Sequence, residues 1–147
     1  GMTEFRRTEG FDRTRNSHLA EIAILLGGRA SEELVLGSPG DGSGGMEGSD
    51  LHQATEIAAQ LLVSYGLGGS LAHFATGAKG VAIARVARDP IFRTSLEAIL
   101  VGCLERSRNI LRAKRTTLDR ISKTLFETGE VKGVPNAAVC SALGSAE

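Results

Sequence analysis

The stretch LAEIAILLGGRASEELVLG, residues 19–37, decides the fold class. Leu19, Ile22, Ala23, Leu26, Ala30 and Leu34 recur along it at the spacing of one helical face. The spacing predicts a helix over 17–36, with Asn16 or Ser17 to cap its start and Gly37 followed by Pro39 to stop it. Gly27 and Gly28 sit inside that helix. Each glycine costs about 1 kcal/mol against alanine in a helix interior. A consecutive pair therefore signals either another element packed very close or an interruption of the helix.

Working outward, the segment Gly37 to Gly48 holds six glycines and a proline and reads as a loop. Ser49 is a good N-cap for a second helix over 49–65. Its core face is Leu51, Ala54, Ala58, Leu61, Leu62 and Tyr65, and Gly66-Leu67-Gly68-Gly69 ends it. A glycine- and alanine-rich connection with room for a short extended piece runs to about Ala87. Asp89 caps a long third helix over 89–114, with Pro90 at the first helical position. Its inner face is Phe92, Leu96, Ile99, Leu100, Cys103, Leu104, Ser107 and Leu111. Thr117 caps a fourth helix over 117–128, with Leu118, Ile121, Leu125 and Phe126 inside, and a short helix is expected over 135–143. Residues 1–16 lack helical periodicity and read as an extended N-terminal segment, with Met2–Phe5 as a short strand at most. The expected fold class is all-α, a bundle of four to five helices over 17–147.

The length of 147 residues suits one domain. Lys+Arg and Asp+Glu both number 17, so no net charge draws the chain to nucleic acid or to an anionic membrane. Apolar residues at 41% and charged residues at 23% are those of a globular protein. No apolar run reaches the ~20 residues of a membrane span, and no signal-peptide pattern opens the chain. Two cysteines, Cys103 and Cys140, do not make a disulfide framework and read as buried thiols in a reducing compartment. Aromatics at 4% offer no stacking platform for single strands.

Local chemistry is sparse. Residues 40–45 match G-x-G-x-x-G, but a helix precedes them where a dinucleotide site needs a strand. His18, His52 and His73 form no H-E-x-x-H and no i, i+4 pair, and no C-x-x-C occurs. His18 and His52 fall near helix starts and read as solvated. Cys103 lies on an apolar stripe, where a thiol is inert. Seven Lys/Arg from Arg106 to Lys123 point around their helices, which marks a solvated face. Taken alone, the residues describe a helical domain with no complete catalytic constellation.

Two linked motifs add a resemblance. The first is Glu21-Ile22-Ala23-Ile24-Leu25-Leu26-Gly27-Gly28-Arg29-Ala30-Ser31-Glu32-Glu33-Leu34-Val35-Leu36-Gly37. The second is Gly48-Ser49-Asp50-Leu51-His52-Gln53-Ala54-Thr55-Glu56-Ile57-Ala58, closed by Tyr65-Gly66. Together they resemble the peptidase domain of the FtsH family, membrane-anchored AAA+ zinc proteases, over roughly residues 17–143. Leu104, Arg108, Ala113, Leu118, Ile121, Leu125 and Glu127 follow the family's long-helix, short-helix tail. The resemblance implies zinc held by two His of an H-E-x-G-H helix and by an Asp that matches Asp50. It also implies that Arg29, Glu32, Glu33 and Ser49 support the metal site from one shell out, with an exposed Arg29 ion pair as the plainer reading. Ser49 departs from the family's usual Asn.

The H-E-x-G-H helix precedes the G-G-R helix in the family and is absent from these 147 residues, as are the ATPase module and the membrane anchor. The expectation is therefore a chain with no catalytic residue and no zinc of its own. It reads as a fragment or degenerate form of the peptidase domain, inactive alone. The alternative is a non-catalytic helical interaction or assembly module. The face around Ile24, Gly27 and Gly28, on which the family's zinc helix packs, is expected to lie open. Partners are then a second copy, most simply in a dimer, or an intact FtsH-like protease, whose family is hexameric. Neither nucleic acid nor a membrane segment is expected. The family's habit places the domain on the cytoplasmic side of a membrane or in an organelle matrix, with this piece soluble.

Overall fold

A computed structural model describes residues 13–38, 40, 44–74 and 80–128. Among them are six helices and no strand: α1 (Arg15–Leu25), α2 (Gly27–Leu36), α3 (Asp50–Val63), α4 (Val81–Ala87), α5 (Pro90–Ala113) and α6 (Arg115–Thr128). The all-α expectation holds. The expected strand at Met2–Phe5 and helix over 135–143, and Cys140, lie outside the described residues.

The predicted first helix is two helices. Thr14, not Asn16 or Ser17, caps α1, its side chain accepting from the Ser17 N–H. The helix therefore begins inside the segment expected to be extended. Leu26 interrupts it with φ −79° and ψ −2°, and α2 then runs to Gly37. Gly37, at φ +79°, stops α2 in the left-handed conformation that glycine adopts without a Cβ penalty. Of the two readings of the glycine pair, interruption is the one observed. A Cβ built on Gly27 or Gly28 would meet nothing within 4 Å.

Helix α3 is the central element because it is apolar on two sides. Ala54, Ala58 and Leu61 pack with Ile22, Ala23 and Leu26 of the first motif and with Cys103 of α5. Ala59, Leu62 and Val63 pack with Ala82 and Val86 of α4. Leu96 and Ile99 of α5 touch both clusters and join them. Fully burying Ile22, Leu61, Val63 and Val86 is worth about 1.5–3 kcal/mol for each side chain. Cys103 Sγ lies 3.5 Å from the Leu19 carbonyl, and the Ser107 hydroxyl donates to the Ala23 carbonyl. Those paired steps, four residues apart on each helix, make α1 and α5 parallel. His18 at the start of α1 stacks on Tyr65 beyond the end of α3, so α1 and α3 are antiparallel.

Three expectations need correction. The connection to Ala87 contains α4, begun at Gly80 with no side-chain cap. Helix α6 starts at Arg115, directly after Lys114, and not at Thr117. Tyr65 is 47% exposed and belongs to the turn after α3, not to its core face. The side chains of Leu125 and Phe126, expected inside, lie outside the described ones.

Candidate functional site

Ser49 and Asp50 fall where the sequence places them. Ser49 is the N-cap of α3, with extended backbone, and its hydroxyl accepts the His52 N–H at 3.3 Å. Asp50 is the first residue of the helix, where a carboxylate favours the N-terminal end of the dipole. Its side chain is exposed and takes no hydrogen bond or ion pair among the described residues. The approach to it is hydrogen-bonded at each step. Gly48 sits at φ +84°, a conformation that disfavours any L side chain. Its N–H donates to His52 Nδ1 at 3.1 Å, and its carbonyl accepts from Gln53 Nε2 at 2.9 Å. The Ser49 N–H closes the preceding turn on the Met46 carbonyl at 3.2 Å.

The three charged residues of the first motif separate into two jobs. Glu33 is nearly buried and takes both Arg108 Nε, at 2.6 Å, and Arg108 Nη2, at 2.5 Å. Both donors converge on one oxygen, Oε2, in a charge-assisted contact stronger than a neutral hydrogen bond. Arg29 reaches the other Glu33 oxygen at 3.4 Å from one turn away, and Arg108 also pairs with Glu105. These contacts push the Arg108 guanidinium further up, with the Glu33 hydrogen bond the largest cause. The cluster clamps α2 onto α5. Glu32 does something else: its carboxylate accepts the Gly40 N–H at 2.9 Å and anchors the loop beyond α2. Sequence reading places Arg108 only in the family's tail pattern and misses its pairing with Glu33, because 75 residues separate them and no local pattern links them. Arg115 adds a second tie from its Nη1 to the Leu34 carbonyl at 3.1 Å. The stretch from Arg106 to Lys123 is thus not wholly a solvated face.

The histidines differ from one another. His18, expected to be solvated, is only 5% exposed, and its Nδ1 has no hydrogen-bond partner among the described residues. Its ring stacks on Tyr65 with centroids 5.2 Å apart and planes 19° from parallel. Burial pushes its pKa down, Arg13 adds to that, and Glu21 opposes it. His73 Nδ1 lies 2.7 Å from the Ser64 carbonyl. Burial pushes the Cys103 thiol up, against Arg106 and Arg15, as an inert core thiol requires.

No group of three His, Cys, Asp or Glu that could hold a metal occurs among the described residues. Asp50 fits one position in a metal's coordination sphere, since its carboxylate is exposed and unpartnered, but the described residues do not by themselves make a closed site. No helix among them is long and apolar enough to cross a membrane.

Comparison with known proteins places this arrangement. The chain is 31% identical over 131 residues to the ATP-dependent zinc metalloprotease FtsH of Thermotoga maritima, covering 82% of the chain and 21% of that protein. It is 31% identical over 142 residues to the ATP-dependent zinc metalloprotease FtsH of Methylococcus capsulatus, covering 89% of the chain and 22% of that protein. The YME1 homolog of Schizosaccharomyces pombe, also an ATP-dependent zinc metalloprotease, is 25% identical over 114 residues, covering 78% of the chain and 16% of that protein. The chain thus spans about a fifth of the length of these curated relatives. The model of peptidase family M41 matches residues 1–134, from before α1 to beyond α6. The chain belongs to peptidase family M41.

Proposed function

We propose that these residues form the helical C-terminal part of the peptidase domain of an FtsH-like ATP-dependent zinc metallopeptidase, and that Asp50 supplies one protein ligand to its zinc. The observation that carries the reading is the contrast at the start of α3. The backbone into Asp50 is held on both sides, while the carboxylate itself is exposed and unpartnered. A preceding H-E-x-G-H helix would bring the two His ligands and the general base, and its natural seat is the open face of α1 and α2. There Ile24 is 38% exposed and Gly28 has free space above it. Zinc, when bound, supplies Lewis-acid chemistry for peptide-bond hydrolysis. The 147 residues alone are inactive in this reading, and the working assembly is membrane-anchored, with this part on the cytosolic or matrix side.

Zinc analysis of the full-length gene product tests the proposal. Wild-type protein should hold one zinc per chain, and Asp50→Ala should lose it together with casein cleavage while ATP hydrolysis continues. The 147-residue chain should retain no stoichiometric zinc after gel filtration. Stoichiometric zinc on the short chain with Asp50 as ligand would overturn the reading.

The same open face favours a second reading, a non-catalytic module that pairs with its own copy. Val35 and Leu36 at the end of α2 are 51% and 71% exposed, and Ile24 near the end of α1 is 38% exposed. Large exposed apolar side chains mark an interaction surface where they join into one patch. Light scattering should show a dimer that Ile24→Lys dissolves; a monomeric wild type removes this alternative.

A further inference from the structure

We propose that His52 is a positioning residue for Asp50, acting through the backbone of Gly48; the proposal rests on the reading of Asp50 as a zinc ligand. A capping pair usually joins the N-cap hydroxyl to the first turn, and a side chain from the third helical residue reaches back to the entering backbone. Here Ser49 provides the first half, and His52, the third residue of α3, provides the second. The return bond lands one residue further out than the usual box, on the Gly48 N–H, because the Ser49 N–H is already taken by Met46. Gln53 then holds the Gly48 carbonyl. Both polar groups of one peptide residue are therefore gripped by neighbouring side chains of the first helical turn, on the chain that delivers Asp50.

The geometry fixes the chemistry of the ring. Nδ1 accepts from an N–H, so it carries the lone pair, and the proton of the neutral ring sits on Nε2. His52 is thereby occupied as an acceptor and holds the helix entry, while Asp50, two residues earlier, keeps both oxygens for another partner. Orienting groups one shell out from a metal typically change its affinity by about 10–100-fold when removed. Their value lies in holding a ligand in place before the metal arrives.

The test has two arms, one on this chain and one on the full-length gene product. In the 147-residue chain, His52→Ala should speed hydrogen exchange at the Gly48 amide by at least about tenfold with the rest of α3 unchanged. His52→Asn should restore protection, because its Oδ1 falls where Nδ1 was. His52→Gln, which carries its amide one bond further out, should not. Nitrogen shifts of the wild-type ring should report the Nε2–H tautomer. In the full-length protein, His52→Ala should weaken zinc binding about tenfold and His52→Asn should recover it. Unchanged Gly48 exchange in both His52→Ala and His52→Gln overturns the latch. Faster exchange with unchanged zinc affinity overturns the positioning role, and leaves Asp50 as ligand if Asp50→Ala still loses the metal. Retention of zinc by Asp50→Ala overturns the ligand reading and the positioning role with it.

Discussion

Two glycine sites in this molecule look alike in composition and opposite in space. Gly27-Gly28 lies in a motif where close packing would be the natural explanation, yet a Cβ on either residue meets nothing within 4 Å. Gly68 lies in an undistinguished connection. A Cβ there would come within 2.7 Å of the Leu61 carbonyl oxygen and the Leu62 Cα, and 2.9 Å of Leu62 Cδ2. Gly68 is a glycine because the turn after α3 folds flat against that helix's own last turn. The Gly27-Gly28 pair meets no such demand from the described residues. The pair follows the Leu26 interruption, and the open space above it leaves room for the proposed preceding helix.

The largest break in that comparison is Gly68→Ala. The atoms it would strike are backbone and a buried leucine, so the turn must move, at a cost of about 1–3 kcal/mol. Urea unfolding should show a lower midpoint with the slope retained; an unchanged midpoint would mean the crowding is not real. A smaller change of opposite sign comes from Gly28→Ala. In the 147-residue chain it should stabilise by roughly 0.5–1 kcal/mol, since alanine costs less helix entropy and has room. In the full-length protein the same substitution should reduce zinc content and peptidase activity by crowding the seat of the neighbouring helix. If it raises stability in both with no loss of zinc, the open face has no such occupant.

The last prediction sharpens the crowded side, where His18 stacks on Tyr65 next to Gly66. The folded-state pKa of His18 lies below its ordinary value of 6.5, chiefly through burial. Above that value the ring is neutral in both folded and unfolded chains. As pH falls below it, the unfolded chain takes up a proton that the folded chain resists, so stability declines until the folded pKa is passed. His18→Leu should flatten the stability profile between neutral and mildly acidic pH. A profile equally steep in both proteins would assign the loss to other groups.

The parts legible in the sequence were those that periodicity and capping control. The inner faces of α1, α3 and α5, the Ser49 cap, the Asp89 cap and the place of Asp50 all follow from spacing within one element. What escaped depends on meeting partners far along the chain. His18 reads as solvated because nothing near it in sequence foretells that Tyr65 covers it. Tyr65 looked like core because the α3 pattern was extended past the point where Ser64 ends the helix. Helix α4 is seven residues long and lacks a side-chain cap, so neither periodicity nor a start signal marked it. At the site, Asp50 came from a motif, while the grip on Gly48 and the Arg108 pairing with Glu33 needed side-chain directions.

The bonds from Cys103 to Leu19 and from Ser107 to Ala23 each close a span of 84 residues. Contacts so distant along the chain form late and slow the search for the native state. On a ribosome adding about 5–20 residues per second, α1 waits on the order of ten seconds after emerging before its α5 partner exists. In that interval, among the described helices, only α3 can pack on its apolar stripe, and α2 has neither Arg108 nor Arg115 to hold it. A nascent chain halted short of α5 should therefore be a client for chaperones, and one halted just beyond Arg115 should be the first able to secure α1 and α2.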